Sequence, residues 1–346
     1  MGLEEKLRRT IRAQGKQEST ADVYWYWTER FLKWCQSKKI GKETKAEIAV
    51  TQFLSELAND LDVSANTQNQ AFSALCFFYR HVLNRPLVEV SALRAKAPQR
   101  VREVADQSEI AAIFDELSGP ALLAARLMYG SSFRIGEVGK LRVKDISFER
   151  KQIVIRGAKG EKDRYVGFPE ILHEAVARQI DSMRVLWRGD VADGMNGVSL
   201  PKAFGRKSPG AHLEFAWYYL LCSDSVSRDP VSGNLLRHHR DMGHLARQIK
   251  QASQRAGVTK RITSHCLRHS FATHSLEQGV PIHVLQKLMG HSDIGTTETY
   301  LHTTTDGVTA AKSPLETLLA NPGRVAKKIE QKETAAKRVV LKLFAG

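Results

Sequence analysis

The chain has 346 residues, 42% of them hydrophobic, which is enough for two ordinary domains with their own cores and excludes a disordered chain. Its formal net charge of +15 points to a polyanionic partner, with nucleic acid ahead of an anionic membrane surface. Cys35, Cys76, Cys222 and Cys266 form no C-x-x-C pair, which argues against a zinc ribbon and fits a reducing cytoplasm.

The opening MGLEEKLRRT carries acids and lacks the apolar core of a signal peptide. Residues 19–36 read as a helix, with Ser19, Thr20 or Asp22 as its cap and Tyr24, Trp27, Phe31 and Trp34 at helical spacing. Two more helices are predicted over 45–60 and 65–84, so residues 1–84 form a small all-α domain with the aromatic stripe as core. Residues 85–105 hold Pro86, Pro98, Arg85, Arg94, Lys96, Arg100 and Arg102 against Glu89 and Glu103. They read as a basic linker tracking phosphates or as a solvated connector.

A second domain begins near Asp106. Helices are predicted over 107–117 and 121–129; the apolar run Ala121 to Met128 is broken by Arg126 and spans no membrane. Three β-prone runs follow, 145–148, 152–156 and 164–168, separated by turn residues as in an antiparallel meander. A helix over 170–184 precedes a weakly periodic stretch, 185–235, rich in Gly, Pro, Ser and aromatics. Helices return over 236–256, 265–278, 281–289 and 295–303. The tail, 321–346, holds seven Lys or Arg and two Glu, a net of +5.

Within this frame lie Arg134 and Glu137 in YGSSFRIGEV, Lys159 on a meander turn, His265 and Arg268 three apart on one helical face, His291 in LMGHSD and Tyr300 nine residues later. Taken singly, each fits a bland role: a surface charge, a solvated turn, a packed ring. His265, His269 and His274 raise a metal site, but no H-E-x-x-H and no suitably placed carboxylate accompany them, so no metal is expected. GAKGEKD lacks the spacing of a P-loop.

The ordered set R-x-x-E, turn Lys, H-x-x-R, G-H and Tyr resembles the tyrosine recombinases, strongly over about 107–320 and by arrangement alone in the helical half. The resemblance implies a mainly α fold with a small antiparallel β meander. A SAM-like core-binding domain, 1–84, and a catalytic domain, 106–320, would form a C-shaped clamp around DNA. It also implies the chemistry. Arg134 and Arg268 clamp the phosphate oxygens and carry transition-state charge without a metal or cofactor. Glu137 braces Arg134. Lys159 protonates the leaving 5′-oxygen. His291 hydrogen-bonds the phosphate, and His265 does so while assisting proton transfer at Tyr300. Tyr300 attacks, leaving a 3′-phosphotyrosine that stores the energy for religation.

The connection before H-x-x-R, about 185–240, is longer than in ordinary members and resembles the extra segment of integron integrases. The matching pieces are LPKAF-x-RKSP-x-A, W-x-Y at Trp217 and Tyr219, S-x-DP-x-SG and RHH. That resemblance implies a segment holding protruding bases of a folded single-stranded hairpin, with Trp217, His238 and His239 stacking and Pro230 as a packing surface. Implied partners are a duplex primary site, a hairpin cassette site and a homotetramer on two sites, two protomers active per exchange, in the bacterial nucleoid. Leu221 and Cys222 depart from the usual Phe-Pro, and Glu298 stands where an apolar residue is commoner. Leu315, Leu318 and Leu319 suit docking on a neighbouring protomer. The alternatives are a duplex-only recombinase of phage or chromosome-dimer-resolving type and a DNA-binding relative without catalysis.

Overall fold

A computed structural model describes residues 2–41, 44–59, 63–88, 103–157, 163–229, 232–291 and 293–300. The chain divides into two compact units, residues 1–100 and 101–346. Most of the predicted linker, with Lys159, Pro230, Leu315, Leu318, Leu319 and the basic tail, lies outside the described residues.

The first unit is four helices, α1 (Leu3–Ala13), α2 (Glu18–Ser37), α3 (Ala46–Asn59) and α4 (Ala65–Phe77), closed by a π-helical turn over Phe78–Val82. The aromatic stripe of α2 is core, as predicted: Trp27 and Phe31 are buried with Phe53, Leu54, Leu57, Phe72 and Leu75. Two expectations change. Helix α2 begins at Glu18 after Gln17, so Ser19, Thr20 and Asp22 lie inside it; Glu18 and Asp22 instead receive Arg8 and Arg12 from α1. Helix α1 itself was not foreseen, because only Leu7 and Ile11 of its length are buried.

The second unit packs α5 (Gln107–Asp115), α6 (Gly119–Ser131), α10 (Met242–Arg255) and α11 (Ser264–Glu277) around one core. Helices α6 and α11 pack on each other, α6 burying Ala124, Leu127 and Met128 and α11 burying Leu267, Ala272 and several polar side chains. The predicted meander is present as β1 (Ile146–Ser147), β2 (Gln152–Ile155) and β3 (Arg164–Gly167) in the order β1-β2-β3. Its register sets Ile146 opposite Ile153 and Ile153 opposite Val166, which puts Ile153, Ile155 and Val166 on the buried face. Helix α7 (Ile135–Lys140) follows α6 directly.

The stretch predicted as weakly periodic is built. Helix α8 (His173–Ala192) runs eight residues past its expected end, because Asp190 faces inward and accepts Arg237 in a buried ion pair joined by Tyr218. Beyond it lie α9 (Lys202–Lys207) and the strand pair β4 (Ser227–Arg228) and β5 (Leu235–Leu236). The helix predicted from 236 starts only at Met242, where the Asp241 carboxylate accepts from the Gly243 N–H at 2.8 Å. The intervening residues 237–240 are extended, held by Arg237 on Asp190 and by the pairing of His239 with Cys222. Leu221 and Cys222 are fully buried, so that departure is absorbed as core. Glu298 is exposed at the end of α13 (Gly295–Glu298), where its charge stays in water. Among the described residues no helix is long and apolar enough to cross a membrane.

Candidate active site

Three arginines from separate elements converge on one carboxylate. Arg134 sits at the start of α7, where its backbone N–H and its guanidinium both donate to Glu137 at 2.8 Å. Arg164 comes from β3 and donates to the two oxygens of the same carboxylate, each at 2.8 Å. Arg268, from α11, stands 3.9 Å from it. Burial by itself would raise the Glu137 carboxyl, but the hydrogen bonds from Arg164 and Arg134 outweigh that and hold it at about 2. Glu137 therefore holds both Arg134 and Arg164.

Arg268 is 3% exposed. It donates to the carbonyls of Ser132 and Met289. Ser132 has a left-handed backbone (φ 60°) at the end of α6, and this turn leads the chain into Arg134. Burial, then the neighbouring charge of Arg134, brings Arg268 down to about 9. It stays protonated at neutral pH but is short of negative charge. Among the described residues, three guanidiniums share the single carboxylate of Glu137. A phosphodiester would supply the missing anion with geometry suited to paired N–H donors.

The imidazoles come from α11 and from the end of α12 (Ile282–Met289). His265 is exposed, and close enough to Arg268 and Arg134 for their charges to act on it. Desolvation, then Arg268 and Arg134, lowers its pKa, so it is neutral at pH 7. His291 has Nε2 3.4 Å from the Arg268 guanidinium and Nδ1 2.9 Å from the Thr297 hydroxyl. The G-H pair has a steric explanation. Gly290 ends α12 in the left-handed region (φ 61°), and a Cβ there would lie 2.7 Å from Arg164 Cδ. Gly290→Ala is expected to lower stability by about 1–2 kcal/mol from backbone conformation alone and to push Arg164 off Glu137. Thermal melting reads the first effect and DNA cleavage the second.

Tyr300 is 1% exposed, packed with Ala272, Leu285 and Met289. Its ring lies parallel to His291, with centroids 6.4 Å apart. Its oxygen is 2.7 Å from Nδ1 of His269, the imidazole one turn along α11 from His265. The sequence reading had given the phenol proton to His265. The structure thus gathers Arg134, Glu137, His265, Arg268, His291 and Tyr300 in one chain and adds Arg164 and His269. Sequence reasoning missed Arg164, although it shares the inner face of β3 with buried Val166. On sequence alone His269 reads only as a possible metal ligand. The spacing 265, 268, 269 was the available sign, since i, i+3 and i+4 share a helical face. Among the described residues no cluster of His, Cys, Asp and Glu fits a metal ion, and His274 instead meets the Tyr129 hydroxyl at 2.9 Å.

The residues carried over for base recognition fare differently. Trp217 is 8% exposed, with Phe204 against it at 4.3 Å and Lys144 Nζ 3.1 Å from its ring centroid. Its place is in the core of the segment, whereas the resemblance implied that it stacks on a protruding base. His238 and His239 are partly exposed. His239 lies edge-on to Tyr219 at 5.5 Å, and Nε2 of His238 has no hydrogen-bond partner. A cavity of about 330 Å³ opens in the same segment, lined by Val198, Leu200, His212, Asp229, Asn234 and Leu236.

The sequence matches the model of the phage integrase family over residues 103–306 and that of the phage integrase N-terminal SAM-like domain over residues 3–89. A protein of Escherichia coli described as an integrase/recombinase is 38% identical over 315 residues, 91% of this chain and 93% of its own. The tyrosine recombinase XerA of Thermococcus onnurineus is 28% identical over 317 residues, covering 89% of this chain and 93% of its own. Among solved structures, the XerH site-specific recombinase bound to palindromic difH substrate in a post-cleavage complex is similar in fold. Its TM-score is 0.60 at 17% identity, covering 90% of this chain and 85% of that one.

Proposed function

The chain belongs to the phage integrase family of tyrosine recombinases, enzymes of site-specific DNA recombination, and from that premise we propose that it is an integron-type integrase acting through a 3′-phosphotyrosine at Tyr300. The observation that carries the chemistry is the buried, under-neutralised arginine pocket beside a phenol. Arg134 and Arg268 bind the two non-bridging oxygens of the scissile phosphate, and their charge stabilises the five-coordinate transition state. His265 and His291 donate to the same oxygens. The Tyr300 oxygen attacks phosphorus as the bond to the 5′-oxygen breaks, and Lys159 supplies that oxygen with a proton. Religation is the reverse, and no nucleotide cofactor enters.

The integron assignment rests on the segment between α8 and α10. It has a core of its own around Trp217, Tyr218 and Cys222 and carries the two adjacent imidazoles of His238 and His239. These rings meet bases that protrude from a folded single strand, Pro230 offers those bases a further apolar surface, and Trp217 belongs to the core that carries the segment. Four protomers hold a duplex site and a hairpin site, two of them active at each exchange. A duplex-only recombinase needs no such segment.

The test compares covalent trapping on the bottom strand, top strand and duplex of DNA selected on the immobilised protein. An integron-type enzyme favours one folded strand. Replacing both histidines by alanine is expected to weaken hairpin binding by about 1–3 kcal/mol for each base whose stacking is lost, with duplex binding unchanged. Equal loss on both DNAs would refute base recognition. Trp217→Ala cannot serve here, because emptying so buried a site costs about 3–5 kcal/mol of folding stability.

A further inference from the structure

We infer that His269 is the base that takes the proton of Tyr300 when it attacks DNA. This inference rests on the reading of Tyr300 as nucleophile. The observation behind it is the 2.7 Å contact between the phenol oxygen and Nδ1 of His269. That is the distance of a strong hydrogen bond, and it is within direct proton-transfer reach. With the imidazole neutral and its proton on Nε2, the phenol donates and Nδ1 accepts.

The other two imidazoles of the pocket are committed differently. His291 lies ring-parallel to the phenol, and its nitrogens point to Thr297 on one side and to Arg268 on the other. His265 is exposed. His269 also has the right support. It follows Arg268 directly on α11, a helix whose neighbouring side chains Leu267, Arg268, Ser270 and Ala272 are all buried. The base and the phosphate clamp are therefore fixed on one rigid element, one residue apart. Such preorganisation is what a proton transfer timed with phosphorus attack requires.

The step balances without a co-reactant. The Tyr300 O–H bond breaks and its proton passes to Nδ1. The freed electron pair forms the bond to phosphorus, and the bond from phosphorus to the 5′-oxygen breaks. That oxygen leaves with a proton from Lys159. In religation the imidazolium returns its proton to the departing phenolate. His269 is therefore a catalytic residue in cleavage and in resealing, and the mechanism separates a base on the tyrosine side from an acid on the leaving-group side.

That separation supplies the test. The full-length protein is assayed for covalent adduct on a nicked suicide substrate drawn from DNA selected on the immobilised protein. The same substrate is also made with sulfur in place of the bridging 5′-oxygen. A thiolate leaves without protonation, so the sulfur substrate rescues a missing acid and not a missing base. His269→Asn keeps a hydrogen-bonding group near the Nδ1 position and cannot take a proton; His269→Ala removes both. Both variants are expected to form adduct about 100-fold or more slowly on the oxygen and the sulfur substrate, with DNA binding retained. Lys159→Ala is expected to be slow on oxygen and restored on sulfur.

Four results would overturn the inference. His269→Asn at the wild-type rate would reduce the contact to positioning. His269→Ala faster than wild type would make it a restraint on Tyr300. Restoration of His269→Asn by sulfur would move its role to the leaving group. Restoration of His269→Ala by sulfur would do the same. Should His269→Ala fail to fold, the Asn variant carries the test. Absence of adduct in wild type, or its persistence in Tyr300→Phe, would instead refute the nucleophile assignment, a separate outcome.

Discussion

Tyr300→Phe is expected to abolish the covalent protein–DNA adduct while DNA binding and the fold are retained. The substitution removes one oxygen. The ring keeps its packing on Ala272, Leu285 and Met289, and the lost hydrogen bond to His269 costs about 1 kcal/mol. DNA affinity comes mainly from cations meeting phosphates, and a chain of net charge +15 loses none of them. The proposed nucleophile, by contrast, would have no substitute, because attack on phosphorus needs a lone pair at that position. A nicked substrate run under denaturing conditions reads the result directly. A shifted, denaturant-resistant band in the Phe variant would show that another side chain attacks.

Glu137→Ala is expected to destabilise the catalytic unit by about 3–5 kcal/mol, the range for removing one partner of a buried ion pair. Glu137 takes two hydrogen bonds from Arg164 and two from Arg134, and it lies 3.9 Å from Arg268. Without it three guanidiniums repel one another with no carboxylate among them. Denaturant melting checks the magnitude. The same carboxylate sets an acid limit. Its pKa falls from 4.5 to about 2 on folding, so it favours the folded state fully above pH 4.5 and loses that contribution as pH falls through about 2. Glu137→Gln should remove this slope between pH 4.5 and 2. A variant whose melting still follows wild type across that window would place the acid sensitivity elsewhere.

The two predictions act on different levels of the same pocket. Tyr300→Phe is expected to show its large effect only when DNA is present, since the free protein loses the modest contribution of the hydrogen bond to His269. Glu137 matters before any DNA arrives, because it is the carboxylate set among the three guanidiniums in the free protein. Arg268 stands between them. Its depressed pKa reflects the burial of a cation that the protein alone does not fully balance, which is the electrostatic form of an anion-binding site.

Much of this was legible before folding was considered. Helical spacing marked α2, α3, α4, α11 and α12, and turn residues marked the meander, because these signals depend on neighbours within a few residues. The candidate catalytic set stood out for a different reason. Phosphoryl transfer needs particular side chains, and their order along the chain is distinctive even though each fragment alone is weak. Failures fell where a local signal competes with a distant partner. The end of α8 was placed too early because Asp190 looks solvent-facing until Arg237, 47 residues on, is known to pair with it. The helix expected from 236 gave way to an extended segment for the same reason.

By itself the sequence determined the residue types, their order and the helices that carry them, because periodicity, turn chemistry and catalytic composition are written in adjacent positions. Only the tertiary structure decided that Arg164 shares Glu137 with Arg134, that His269 meets the Tyr300 oxygen, and that Trp217 is walled in by Phe204 and Lys144. Each of those is a contact between segments far apart in the chain. A side chain's proton and charge partners are chosen by distances of about 3 Å, and such distances exist only after the core has brought the segments together.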